Sequence, residues 1–189
     1  MYCDMGTSMN GLIFASDAQG EGEGDHGGYG LVAREIDKKE LDTVLKCGEL
    51  PGLTIRRLGD YCGTARPDNL SATVPITMIP DKILDSSKWH VIGYGRWKYG
   101  DHITVGESRA VVKLLSGLAK NPKLHRTLII SLQDNIPTAC SMAKGRSSSF
   151  SLLRLLRQKA AICVACGFRV FMPWVQSAVQ PADEASRWQ

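Results

Sequence analysis

The chain has 189 residues, 43% of them hydrophobic and 22% charged, with a formal net charge of +4. This is an ordinary globular composition, and the chain is long enough to bury a core without a disulfide or metal staple. The mild positive balance permits an anionic partner without requiring one. No apolar run approaches the ~20 residues of a membrane helix. The first residues, MYCDMGTSMN, carry neither a basic segment nor a long apolar one, so no signal peptide and an intracellular location are expected. Six unevenly spaced cysteines fit a reducing compartment. Cys163 and Cys166 form a single CxxC in what reads as the end of a helix, a buried structural pair rather than a zinc site.

In chain order, residues 12–15 form a short apolar run ahead of the Gly-rich QGEGEGDHGGYG, and 29–35 (YGLVARE) read as the second strand of a hairpin. Within 36–88 only KKELDTVLK suggests a helix. Residues 89–99 (WHVIGYGRWKY) are aromatic and β-branched and fit a third strand or strand pair. Glu107 opens the clearest helix: Ala110, Val111, Leu114, Leu115 and Leu118 follow at helical spacing until Asn121-Pro122 stops it. Glu107 thereby falls on the buried stripe. Residues 127–132 are the next strand, and 135–143 fit a short helix with Pro137 in its first turn. A serine of KGRSSS caps a long helix over 150–166, whose apolar side carries Leu152, Leu153 and Leu156, and Gly167 ends it. Residues 168–175 (FRVFMPWV) read as a last strand and PADEASR as a short final helix. A hairpin start followed by βαβα units points to a mixed sheet with helices covering its faces.

Two apolar strands, GLIFASD and IISLQD, each run into an aspartate. Parallel neighbours ending at one edge would bring Asp17 and Asp134 together, where open α/β sheets keep their sites. Glu107 joins them if the first turn of its helix lies over that edge, and Asp183 of the final helix is a fourth candidate. Crowded carboxylates need help to stay ionised. A hard divalent cation supplies it, and oxygen ligands without a His/Cys cluster suit Mg²⁺ or Mn²⁺. Two such ions ~3.5–4 Å apart support phosphodiester cleavage. Each acid also has a structural reading. Asp17 can begin a polar turn, Glu107 can favour a helix N-terminus, Asp134 with Asn135 can cap the next helix, and Asp183 can be a first-turn acid.

The order Asp, Glu, Asp, Asp on the first strand, the first clear helix, the fourth strand and the last helix resembles the ribonuclease H fold. More narrowly, it resembles the RNase H-like domain of retroelement reverse transcriptases, DIRS-type and related. The matching pieces are FASDAQGEG…GGYGLVARE, GRWKYGDHITVGESRAVVKLL, LIISLQDN, KGRSSS and MPWVQSAVQPADEASR. The resemblance implies an α/β, RNase H-like fold with a five-stranded mixed sheet of order 3-2-1-4-5, its first three strands antiparallel and helices on both faces. It implies one domain over 1–189 with an insertion at about 36–88 between strands 2 and 3. It also implies cleavage of the RNA strand of RNA–DNA hybrids with Mg²⁺ (or Mn²⁺), two ions per site. Carried over, Asp17 bridges both ions, Glu107 and Asp134 are shared with the second, and Asp183 completes the ion that activates water. A reverse-transcriptase polymerase domain or a larger host complex is the implied partner. The sequence departs from the pattern at Gly106, where an apolar residue is usual, and at Gln180, where Asn is usual. The loop QSAVQ lacks the histidine that many cellular RNases H carry before the last acid. The missing histidine, the insertion and the isolated domain favour an alternative, a catalytically degenerate or domesticated copy that acts as a nucleic-acid- or protein-binding scaffold.

For nucleic-acid contact the candidates are Lys144, Arg146, Ser147, Ser148, Arg154 and Arg157, in and after KGRSSS. Arg154 and Arg157 share a helix face, and serine hydroxyls with N-terminal N–H groups can receive phosphate. A solvated basic face is the competing reading. Trp97, Tyr99 and Trp174 could stack on bases, although aromatics in strands are more often core.

Overall fold

The computed structural model describes residues 8–20, 26–47 and 78–187. Five strands form one sheet in the order β3-β2-β1-β4-β5. They are β1 (Ser8–Gln19), β2 (Gly28–Glu35), β3 (His90–Arg96), β4 (Thr127–Leu132) and β5 (Arg169–Phe171). β1 pairs antiparallel with β2, and β2 with β3. β4 runs parallel to β1, and β5 parallel to β4. This is the mixed sheet the resemblance implies.

The helices are α1 (Lys38–Cys47), α2 (Asp81–Leu84), α3 (Ile103–Leu118), α4 (Ile136–Lys144), α5 (Phe150–Cys166) and α6 (Asp183–Ser186). They cover both faces because the central strands alternate between two cores. Phe14 and Ala18 of β1, with Leu31 and Ala33 of β2, pack among residues of α3, α4 and α5. Ile13, Ala15 and Val32 turn the other way, towards α1, α2, Ala185 of α6 and its N-cap Ala182. A strand buried on both faces reads as a continuous apolar run, which is why β1 and β4 lack alternation in sequence.

The segment between β2 and β3 contributes α1 and α2 to the second core. Buried Arg34 of β2 ties them down, pairing with Glu40 at 2.7 Å and donating to the Ile83 carbonyl at 2.8 Å. The rest of the expected insertion, 48–77, lies outside the described residues.

Three boundaries and one buried face differ from the sequence reading. β1 runs to Gln19 because β2 pairs with it that far, so Asp17 sits inside the strand opposite Gly30. α3 begins at Ile103, one turn before Glu107, because the His102 side chain caps it by accepting from the Thr104 N–H. On α5 the fully buried leucines are Leu155 and Leu156, with Leu152 and Leu153 only half-buried. The last strand is short: β5 stops at Phe171, before Pro173, which has no N–H for a ladder. Beyond it only Trp174 forms a bridge, with Gln133.

Candidate metal centre

Asp17, Glu107 and Asp134 converge. One carboxylate oxygen from each lies within 4.8 Å of the others. Asp17 (5% exposed) projects from β1 and Glu107 (3%) from the second turn of α3. Asp134 follows the end of β4. Its backbone is fixed by the Gln133–Trp174 bridge and by the Trp174 indole, whose N–H donates to the Asp134 carbonyl at 2.7 Å. The cap of α4 is Asn135, which accepts from the Thr138 N–H at 3.0 Å. Asp134 is therefore not spent as a helix cap, and its carboxylate faces the centre.

Electrostatics set this cluster apart from the other acids. Burial, then the charges of Asp17 and Asp134, push Glu107 from its ordinary 4.5 up to about 10. Asp17 is also raised, first by burial and then by Asp134 and Asp183, against the lowering effect of its hydrogen bond from Ser186. Among the described residues, buried Glu107 Oε2 has no hydrogen-bond partner. A buried carboxylate oxygen without a donor is costly. An orphaned oxygen beside two further carboxylates, with no histidine or cysteine in the cluster, is the donor set of a hard divalent cation. The residues present fit such an ion.

Asp183 stands apart. It lines the same open cavity of about 550 Å³ as the three acids. Its side chain, however, is 41% exposed and paired with Arg187, at 2.9 Å from Nη2 and 3.0 Å from Nε. It is not in the converged group.

Three residues support the centre without having been singled out from sequence for that role. Ser186 donates to Asp17 Oδ2 at 2.6 Å from a fully buried position. Gly30 makes this possible, because a Cβ there would lie 2.4 Å from the Ser186 nitrogen; only glycine lets α6 close onto the sheet beside Asp17. Gln180, visible in sequence only as a departure, is buried and reaches Asp134 Oδ1 at 3.5 Å and the Ser16 carbonyl at 3.4 Å. At Gly106, the other departure, an added Cβ would make ordinary contact with Ala18, so the glycine there is not sterically required.

Lys144, Arg146, Ser148, Arg154 and Arg157 are exposed, and Ser147 is half-buried with its hydroxyl accepting from the Ser149 N–H. Ser149 is the cap of α5. None of the four cations has an ion-pair partner among the described residues. Of the aromatics, Trp97 is buried core, stacked on Tyr29 and covered by Arg109. Tyr99 is exposed.

No family model and no curated protein matches the sequence. Among solved structures, LC11-RNase H1 in complex with an RNA/DNA hybrid is 13% identical, with a TM-score of 0.51 over 94% of each chain. The chain has the ribonuclease H fold. A second structure of LC11-RNase H1, isolated from compost by a metagenomic approach, gives 13% identity and a TM-score of 0.52 over 95% of this chain and 98% of that one. The N-terminal RNase H domain of a Mycobacterium tuberculosis protein, solved as a fusion with maltose-binding protein, is 15% identical. Its TM-score is 0.52 over 93% of this chain and 90% of that one. At these identities the likeness is one of fold. Among the described residues no helix is long and apolar enough to cross a membrane.

Proposed function

We propose that this chain is a metal-dependent ribonuclease H, cutting the RNA strand of RNA–DNA hybrids, and that all of 1–189 is one such domain, of retroelement origin, with an insertion at about 36–88. The observation that carries the reading is the convergence of Asp17, Glu107 and Asp134 within 4.8 Å, with a buried oxygen of Glu107 left without a donor among the described residues. The likeness to LC11-RNase H1 with its hybrid supports the substrate class through fold alone. The segment MPWVQSAVQPADEASR, with its likeness to retroelement RNase H-like domains, supports the retroelement origin, and a polymerase domain or host complex as partner.

In this reading Asp17, Glu107 and Asp134 hold Mg²⁺ or Mn²⁺, with Asp183 as the further ligand when a second ion is present. The ions supply Lewis-acid activation of water and charge neutralisation at the scissile phosphate. The protein's own part is positioning. β1 and β4 fix the two aspartates, Ser186 and Gln180 orient their carboxylates, and the second turn of α3 delivers Glu107 from the opposite core. The exposed cations of α4 and α5 neutralise backbone phosphates outside the centre.

One observation favours a second reading, a silent scaffold that binds nucleic acid or protein. Asp183 is held by Arg187, outside the three-acid group. The deciding experiment is cleavage of a labelled RNA–DNA hybrid in Mg²⁺ or Mn²⁺ by the wild-type chain and by Asp17→Asn. RNA-strand cutting that the variant loses supports the nuclease. A folded wild-type chain that cuts in neither metal supports the scaffold.

A further inference from the structure

The cavity at the metal centre is lined by four acids, Asp17, Glu107, Asp134 and Asp183, and by one cation, Arg187. A phosphodiester entering it meets a wall of its own sign except at that guanidinium. The loop before α6 brings Ser177 to the cavity and no positive charge.

Arg187 is presented half-used. Its side chain is 56% exposed, and both of its bonds, from Nε and Nη2, go to a single oxygen, Asp183 Oδ1. Nη1 donates to nothing among the described residues. An exposed i,i+4 pair of this kind is weak and easily exchanged. The backbone beneath it is not free to drift. α6 is clamped on Gly30, and Ser186, the preceding residue, is bonded to Asp17. An exposed head on a fixed base, beside the acids, is the geometry of a group that can change partners.

We infer that Arg187 binds a phosphate of the substrate strand at the metal centre, and that its pair with Asp183 is the arrangement it leaves when substrate arrives. A guanidinium fork takes two oxygens of one phosphate, where the carboxylate now engages it through one. The exchange also frees the Asp183 carboxylate beside the three-acid group, so substrate entry and completion of the metal site become one event. This inference rests on the nuclease reading.

The test uses Asp134→Asn, which holds hybrid uncut, with and without Arg187→Ala or Arg187→Lys. Binding of a fluorescent RNA–DNA hybrid is followed by anisotropy over a salt series in Mn²⁺. Arg187→Ala is expected to weaken binding about tenfold and to lower the slope of log affinity against log salt by about 0.9. Arg187→Lys keeps the slope and recovers part of the affinity. On the otherwise wild-type chain, Arg187→Ala raises KM by a similar factor and leaves the melting curve in place. Unchanged affinity and salt slope in Arg187→Ala, in a protein whose wild type cuts hybrid, overturn the inference and leave the nuclease intact. A wild-type chain that neither binds nor cuts hybrid removes both.

Discussion

The three-acid centre and the basic stretch from α4 into α5 are opposite solutions to handling charge. At the centre, Asp17 and Glu107 are almost wholly buried and the group is held by Ser186, Gln180 and the Trp174 bridge. Along α4 and α5, Lys144, Arg146, Arg154 and Arg157 stand in solvent with no ion-pair partner among the described residues. Burial makes the acids expensive and precise in position, so each should matter greatly. Exposure leaves the cations cheap and interchangeable, so each should matter a little. Reaction chemistry needs the first arrangement, and holding a polyanion of varied sequence needs only the second.

Substitutions in the two regions should therefore differ in size of effect. The largest expected effect is at Asp134: Asp134→Asn should reduce hybrid cleavage to background while leaving the melting temperature unchanged or higher. It removes a ligand together with a charge that repels its neighbours. Cleavage at the wild-type rate would remove Asp134 from the site. Next is Gly30→Ala, whose Cβ would collide with the backbone of α6. Overpacking there should cost about 1–3 kcal/mol in denaturant unfolding and impair cleavage, although the residue carries no functional group.

The third prediction is a pH effect in the cation-free protein. Glu107 titrates near 10 when folded and near 4.5 ordinarily. The unfolded chain therefore releases this proton first, and stability should fall as pH rises from about 4.5 to about 10. Glu107→Gln should flatten that part of the profile, as read from melting temperature against pH without metal. The same proton must leave when a cation binds, so the heat of Mn²⁺ binding near pH 7 should vary with the ionisation enthalpy of the buffer. The smallest effect belongs to the basic face. Arg154→Ala or Arg157→Ala should each raise KM about two- to threefold and reduce the salt slope by about 0.9. A hundredfold loss from either would mean that this face is as specific as the centre.

The same physics decides what was legible in sequence. The strands of both cores announce themselves through apolar runs, and the helices through caps such as Asn135 and Ser149 and terminators such as Gly167. Asp17, Glu107 and Asp134 stood out because acids on apolar elements are anomalous. Asp183 carried the same sequence signal, yet its carboxylate lies with Arg187, since a periodicity cannot say which neighbour a surface acid prefers. Ser186 was hidden for another reason. Its role depends on a glycine more than 150 residues earlier in the chain, and only the closed sheet brings the two together. The start of α3 was misplaced because its cap is His102, a side chain outside the usual N-cap set.

On the proposed reading, buried Asp17 and Glu107 with half-buried Asp134 form the cation site of the hybrid-free chain, and Asp183 lies outside it until substrate arrives. Calorimetric titration of Mn²⁺ into the hybrid-free chain, beside Asp17→Asn and Asp183→Asn, tests this most directly. A three-acid site predicts binding by the wild type, loss in Asp17→Asn and near wild-type affinity in Asp183→Asn. Wild-type affinity in Asp17→Asn, or loss in Asp183→Asn, would contradict it.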